Sequence, residues 1–63
     1  MIKIVKKARF GKFEIGYVEQ KGSRNQWVVI YPNGDLYSAP ENNMASAARE
    51  ARYRNEAAKE EVA

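Results

Sequence analysis

The chain has 63 residues, no cysteine, no histidine and a net charge of +3. That length holds one domain, 1–63, and the missing thiols and imidazoles exclude a disulfide scaffold, the usual zinc sites and Cys/His nucleophile pairs. Hydrophobic residues make up 44% of the chain, seven of them aromatic, which is enough for a thin core that packing or self-association has to stabilise.

The opening residues Met1-Ile2-Lys3-Ile4-Val5-Lys6-Lys7 lack the apolar run of a signal peptide. No stretch approaches the roughly 20 apolar residues of a membrane span, so a cytoplasmic setting is expected. Two strands, about 2–9 and 13–19, flank Gly11-Lys12, a two-residue turn with glycine in its first central place. That hairpin sets Phe10 opposite Phe13, Arg9 opposite Glu14, Ala8 opposite Ile15 and Val5 opposite Val18, all sensible cross-strand pairs.

Lys21-Gly22-Ser23-Arg24-Asn25 breaks the pattern, and Gln26 to Tyr31 (26–31), filled with β-branched and aromatic residues, is the strongest strand in the chain. Pro32-Asn33-Gly34-Asp35 is a strong turn. Read as an Asn-Gly hairpin at 33–34, it pairs Tyr31 with Leu36 and Ile30 with Tyr37 and opens a short strand over 35–38.

Ser38-Ala39-Pro40-Glu41 has the spacing of a capping box, although Pro40 disfavours helical geometry at Ala39 and leaves Ala39 or Asn43 as the alternative cap. A helix over about 41–59 follows, rich in Ala, Arg, Glu and Lys, with a fraying end at 60–63. Its inward stripe is small: Met44, Ala47, Ala48, Ala51, Asn55 and Ala58. The fold class is therefore α+β, a four-stranded antiparallel β-meander with one C-terminal helix on one face, and the alternative is a small SH3-like barrel plus helix.

Charge is unevenly spread. Residues 1–24 carry Lys3, Lys6, Lys7, Arg9, Lys12, Lys21 and Arg24 against Glu14 and Glu19, a balance of +5, and the rest of the chain stands at −2. One helix covers one side of a sheet, and the expected register puts Lys3, Val5, Lys7, Arg9, Lys12 and Glu14 beside Gly16, Val18, Val28, Ile30 and Tyr37 on the other. Basic groups there supply phosphate contacts, and apolar groups supply stacking or a wedge. The first functional reading is a non-enzymatic, nucleic-acid-binding accessory protein that uses Lys3, Lys7, Arg9 and Lys12, with Lys21 and Arg24 as outlying phosphate contacts.

The second reading is a protein-binding regulator or inhibitor of mobile-element, phage-like type. It would use Ile30 and Tyr37 on the sheet or Arg49, Arg52 and Tyr53 on the helix, since Tyr and Arg are enriched where interfaces carry their binding energy. A homodimer through the uncovered sheet face is a third use of the same surface. No cofactor, metal or catalytic group is expected, because no set of residues has the spacing such chemistry needs. In outline, a few antiparallel strands followed by one helix resembles the small DNA-binding modules at the N-termini of phage-type integrases, with Gly11-Lys12-Phe13-Glu14-Ile15 similar to their opening strand. That resemblance implies a sheet that enters the major groove, and it assigns no residue roles.

Overall fold

A computed structural model describes residues 3–62, with side chains as far as Lys59. Four strands, β1 (Lys3–Phe10), β2 (Phe13–Glu19), β3 (Gln26–Ile30) and β4 (Leu36–Ser38), form an antiparallel sheet in the order β1-β2-β3-β4. The helix α1 (Met44–Val62) follows. Because β1 and β4 stay at opposite edges, the sheet is open, and the barrel alternative is set aside.

The first hairpin closes as expected near its turn. Gly11 takes a φ of 64° and Lys12 does not turn positive, the pattern of a type II′ turn. Phe10 then faces Phe13, Arg9 faces Glu14 and Ala8 faces Ile15. Beyond Ala8 the ladder slips: Lys6 faces Gly16, Val5 faces Tyr17, Ile4 faces Val18 and Lys3 faces Glu19, so Lys7 is the extra residue of a β-bulge. A one-residue slip exchanges the two faces of a strand. The expected pairing of Val5 with Val18 is thus corrected, and Lys3, Val5 and Lys7 move from the reverse of the sheet to its helix side, while Ile4 and Lys6 take the reverse.

Gly16 is what lets the bulge form. A Cβ built there would overlap the Val5 carbonyl oxygen and stand only 3.0 Å from Lys6 Cα, so the bent backbone of β1 fills the space of the missing side chain. The curl of β1 over the reverse face goes with a second small core of Val18, Val28 and Ile30, each less than a tenth exposed although no helix covers that side. The space over Gly16 is thus occupied by the protein's own backbone.

The second hairpin also departs from expectation. Gly34 N–H donates to Tyr31 O and Tyr31 N–H to Asp35 O, and Gly34 alone in the loop has a positive φ, 96°. Pro32, fixed near −65°, favours the first central place of a type I turn, so Gly34 takes the left-handed position after it and the loop is three residues long. The Asn33 side chain closes it, accepting from Asp35 N–H at 2.9 Å. The ladder therefore pairs Ile30 with Leu36 and Val29 with Tyr37, correcting the expected Ile30–Tyr37 pair and bringing Tyr37 to the helix side.

The helix begins three residues later than expected, because Asn42 sits at a positive φ of 50° and Asn43 is the cap, its Oδ1 accepting from Ser46 N–H at 2.7 Å. The connection is pinned to the sheet, with Ala39 N–H donating to Trp27 O and Trp27 N–H to Asn42 Oδ1. With no Gly or Pro to stop it, the helix continues to Val62, past the expected end at about 59. Ile2, expected in β1, and Ala63 lie outside the described residues. Ala47 and Ala51 are fully buried on Phe13, Ile15, Val29 and Ala39, where small side chains bring the helix axis close to the sheet. Met44, expected on that stripe, is 48% exposed.

Candidate functional site

The bulge divides the expected basic face into two groups. The first lies on the helix side, at the end of the sheet where β2 closes. Tyr17 and Trp27 are ladder partners there, both half-buried, and their rings meet edge to face with centroids 5.2 Å apart. Such pairs hold each other's orientation by quadrupole complementarity. Trp27 packs its inner part against the core under the helix, a core that does not include Tyr17 among the described residues.

Lys7, the bulged residue, holds its ammonium 5.6 Å from the centre of the Tyr17 ring. A cation over a ring face is favoured electrostatically, so the exposed Lys7 side chain leans its ammonium over Tyr17. Val5 and Lys3 continue this surface along the edge strand, with Lys3 opposite Glu19. The β2–β3 loop, 20–25, begins three residues after Tyr17 and ends two before Trp27, so exposed Lys21 and Arg24 bound the same end. No ion pair among the described residues involves Lys7, Lys21 or Arg24. Tyr17, Trp27, Lys3, Lys7, Lys21 and Arg24 thus gather at one corner.

The second group lies at the opposite end. Arg9 belongs to the reverse face and donates from Nε to Gly11 O at 3.1 Å, tying the turn to its own strand. Lys12 and Lys59 line a groove of about 380 Å³ with Gly11, Asn55 and Ala58, and Arg52 stands 6.0 Å over the Phe10 ring. Lys6, newly on the reverse, pairs with Glu14 at 3.5 Å and so has its charge partly met. Lys3 and Lys7 therefore do not share a face with Arg9.

The residues expected for protein binding also separate. Ile30 is 8% exposed in the reverse-side core, where Ile4 and Leu36 are the more open apolar side chains. Tyr37 lies under Arg54, whose guanidinium is 4.0 Å from its ring centre. Arg54 also donates to the Tyr31 hydroxyl and, at 2.7 Å, to Glu50. Burial alone would lower the Arg54 pKa, but the hydrogen bonds to Glu50, Tyr31 and Tyr37 outweigh it and hold the group above its ordinary value. Arg54 is a lock between helix and sheet. Arg49 lies near Glu41 and Glu50 at 3.8 and 3.9 Å, while Tyr53 is 72% exposed.

Two features escape a sequence reading. Tyr17 and Trp27 both fit a core stripe by alternation, and the structure leaves both only half-buried, Trp27 at the edge of the core. Arg54 reads as an i,i+4 partner of Glu50, which it is at 2.7 Å, and it also reaches the Tyr31 hydroxyl and the Tyr37 ring. The glycine inside β2 is the one sequence signal of the bulge, since glycine within a strand marks bends and close approaches.

This is a small open-sheet α+β domain with an aromatic and basic corner. No protein-family model matches the chain, and neither does any curated protein or solved structure. Among the described residues no helix is long and apolar enough to cross a membrane.

Proposed function

We propose that the protein is a small, non-enzymatic, nucleic-acid-binding accessory protein of the cytoplasm. The observation that carries this reading is the Lys7 ammonium over Tyr17, beside Trp27, with Lys3, Lys21 and Arg24 around them. Cations contact phosphates without regard to sequence, and ring faces meet bases, so the two kinds of group at one place fit a polyanion that carries flat rings. Arg9 and Lys12, at the other end, lie outside this surface and would extend the positive field rather than the contact.

Binding of this kind releases counterions, so affinity for a mixed-sequence oligonucleotide should fall steeply with salt, with a log–log slope of roughly 0.7 to 0.9 per phosphate met. The Lys7→Glu/Lys21→Glu double variant should abolish binding, whereas Arg9→Glu should weaken it modestly. Binding that ignores salt, or that survives the double variant, would remove the proposal.

A second reading, a protein-binding regulator or inhibitor of phage-like type, is favoured by one observation: Tyr53 is the most open of the large hydrophobic side chains described, one turn after Arg49 and next to Arg52 on the helix. Recovery of one host protein after nuclease treatment, lost in Tyr53→Ala, would favour it.

A further inference from the structure

Resting on the nucleic-acid reading, we infer that the ligand is single-stranded, and that one of its bases stacks on the Tyr17–Trp27 pair while its backbone runs past Lys7 toward the β2–β3 loop. A base inside a duplex has both ring faces covered by its neighbours. An aromatic pair at a surface therefore finds a partner only in an unpaired strand. The pair is preset for this: the edge-to-face contact holds each ring, and the hydrogen bond from Trp27 N–H to Asn42 Oδ1, with Ala39 N–H on Trp27 O, fixes the backbone under the indole. Little rotamer freedom remains to be lost when a base arrives.

The surroundings select against a duplex as well. Helix α1 lies on the same face, with Ala47 and Ala51 seated on Ile15 and Val29, and a helix with its side chains stands about 10 Å thick. It walls one side of the corner. Neither the sheet nor the helix can then enter a major groove at this place, whereas a single strand can lie along the ledge formed by β1 and the end of β2. Charge follows that line: Lys7 over the ring, Lys3 on the edge strand, then Lys21 and Arg24 in the loop, with Glu19 opposite Lys3 as the acidic group on the ledge. The positive groups flank the rings rather than form a broad patch, which suits phosphates spaced along one extended strand.

Trp27 is the sole tryptophan of the chain, so its emission reports the site directly. The test uses the full chain with fluorescein-labelled thymidine and uridine 12-mers and a 12-base-pair duplex, reading label anisotropy and Trp27 emission at low and moderate salt. The expected result is tighter binding of a 12-mer single strand than of the duplex, with quenched Trp27 emission. Tyr17→Leu, which keeps apolar bulk but removes the ring, should weaken single-strand binding on the order of 5- to 100-fold while leaving duplex binding unchanged. A circular dichroism melt confirms that this variant folds; if it does not, Tyr17→Phe and Lys7→Gln replace it, expected to retain and to weaken binding respectively. A preference for deoxyribose or ribose strands would identify DNA or RNA as the source, and either supports the inference. Duplex binding equal to or tighter than single-strand binding, or single-strand binding with unchanged emission and no response to Tyr17→Leu, overturns the stacked single strand while the nucleic-acid reading stands. Failure to bind any of the three probes overturns both.

Discussion

Replacing Gly16 by alanine tests the feature on which the sheet's geometry depends. The added Cβ would collide with the Val5 carbonyl oxygen and meet Val5 C and Lys6 Cα at 3.0 Å, all backbone atoms with no rotamer by which to withdraw. Forcing one methyl into such a space costs about 1–3 kcal/mol, and alanine recovers roughly 0.5–1 kcal/mol of the entropy that glycine loses within a strand. The net expectation is destabilisation of about 1–2 kcal/mol, a large part of the 3–5 kcal/mol that a core of this size supplies. Urea unfolding followed by Trp27 emission should show a fall in the midpoint of about 1 M or more at unchanged slope, taking a slope near 1 kcal/mol/M. Gly22 is the control: its Cβ would meet nothing within 4 Å, and its φ of 82° makes the difficulty conformational. Gly22→Asn should therefore be better tolerated than Gly22→Ala, since asparagine accepts left-handed geometry, whereas Gly16→Asn should be worse than Gly16→Ala. A Gly16→Ala protein as stable as the parent would refute the claim that β1 is folded against this position.

Three further expectations follow from the helix. Arg54→Met should cost about 1–3 kcal/mol by leaving the Tyr31 hydroxyl and Glu50 without their cation, and Arg54→Lys should not restore it, because an ammonium lacks the fork that reaches both. The Arg54 pKa is raised on folding, so its contribution is fully present below the ordinary guanidinium value and lost only above the folded one. The melting-temperature gap between parent and Arg54→Met should thus be flat from about pH 6 to 9, and a gap that closes on going up that range would contradict it. Asn43→Ala should cost about 1 kcal/mol and speed hydrogen exchange at the Ser46 amide, the donor to the Asn43 cap. Tyr53→Ala should change stability by less than about 0.5 kcal/mol in a thermal melt, as its side chain is mostly in water.

Much of the fold is written locally and was legible. Gly11 at a hairpin turn, the QWVVIY strand and a long helix without breakers each follow from residues next to one another, and each stands where composition puts it. What was not legible depends on a count of one. The bulge at Lys7 leaves both halves of β1 equally good as strand sequence, since Ile4 with Val18 is as sound a pair as Val5 with Val18. The close approach of a bent backbone to Gly16 separates them, and that contact joins residues ten and eleven apart. The second slip is of the same kind: Asn33-Gly34 suits a two-residue turn by itself, and Pro32, fixed one place earlier, moves the glycine to the last place of a longer loop.

The two slips act together on what the surface presents. Without the bulge, Lys7 would stand on the reverse with Arg9, and Tyr17 would have no cation over its ring; with it, Lys7 crosses to the aromatic pair while the curl of β1 accompanies the burial of Val18 and Val28. The shift at Gly34 brings Tyr37 round to Arg54, which joins α1 to the Phe13–Tyr31 end of the sheet. Arg54 ties α1 to Tyr31 and Tyr37 while Ala47 and Ala51 seat it on Ile15 and Val29, and beside that packed helix Tyr17 and Trp27 stay half-buried rather than sealed in the core.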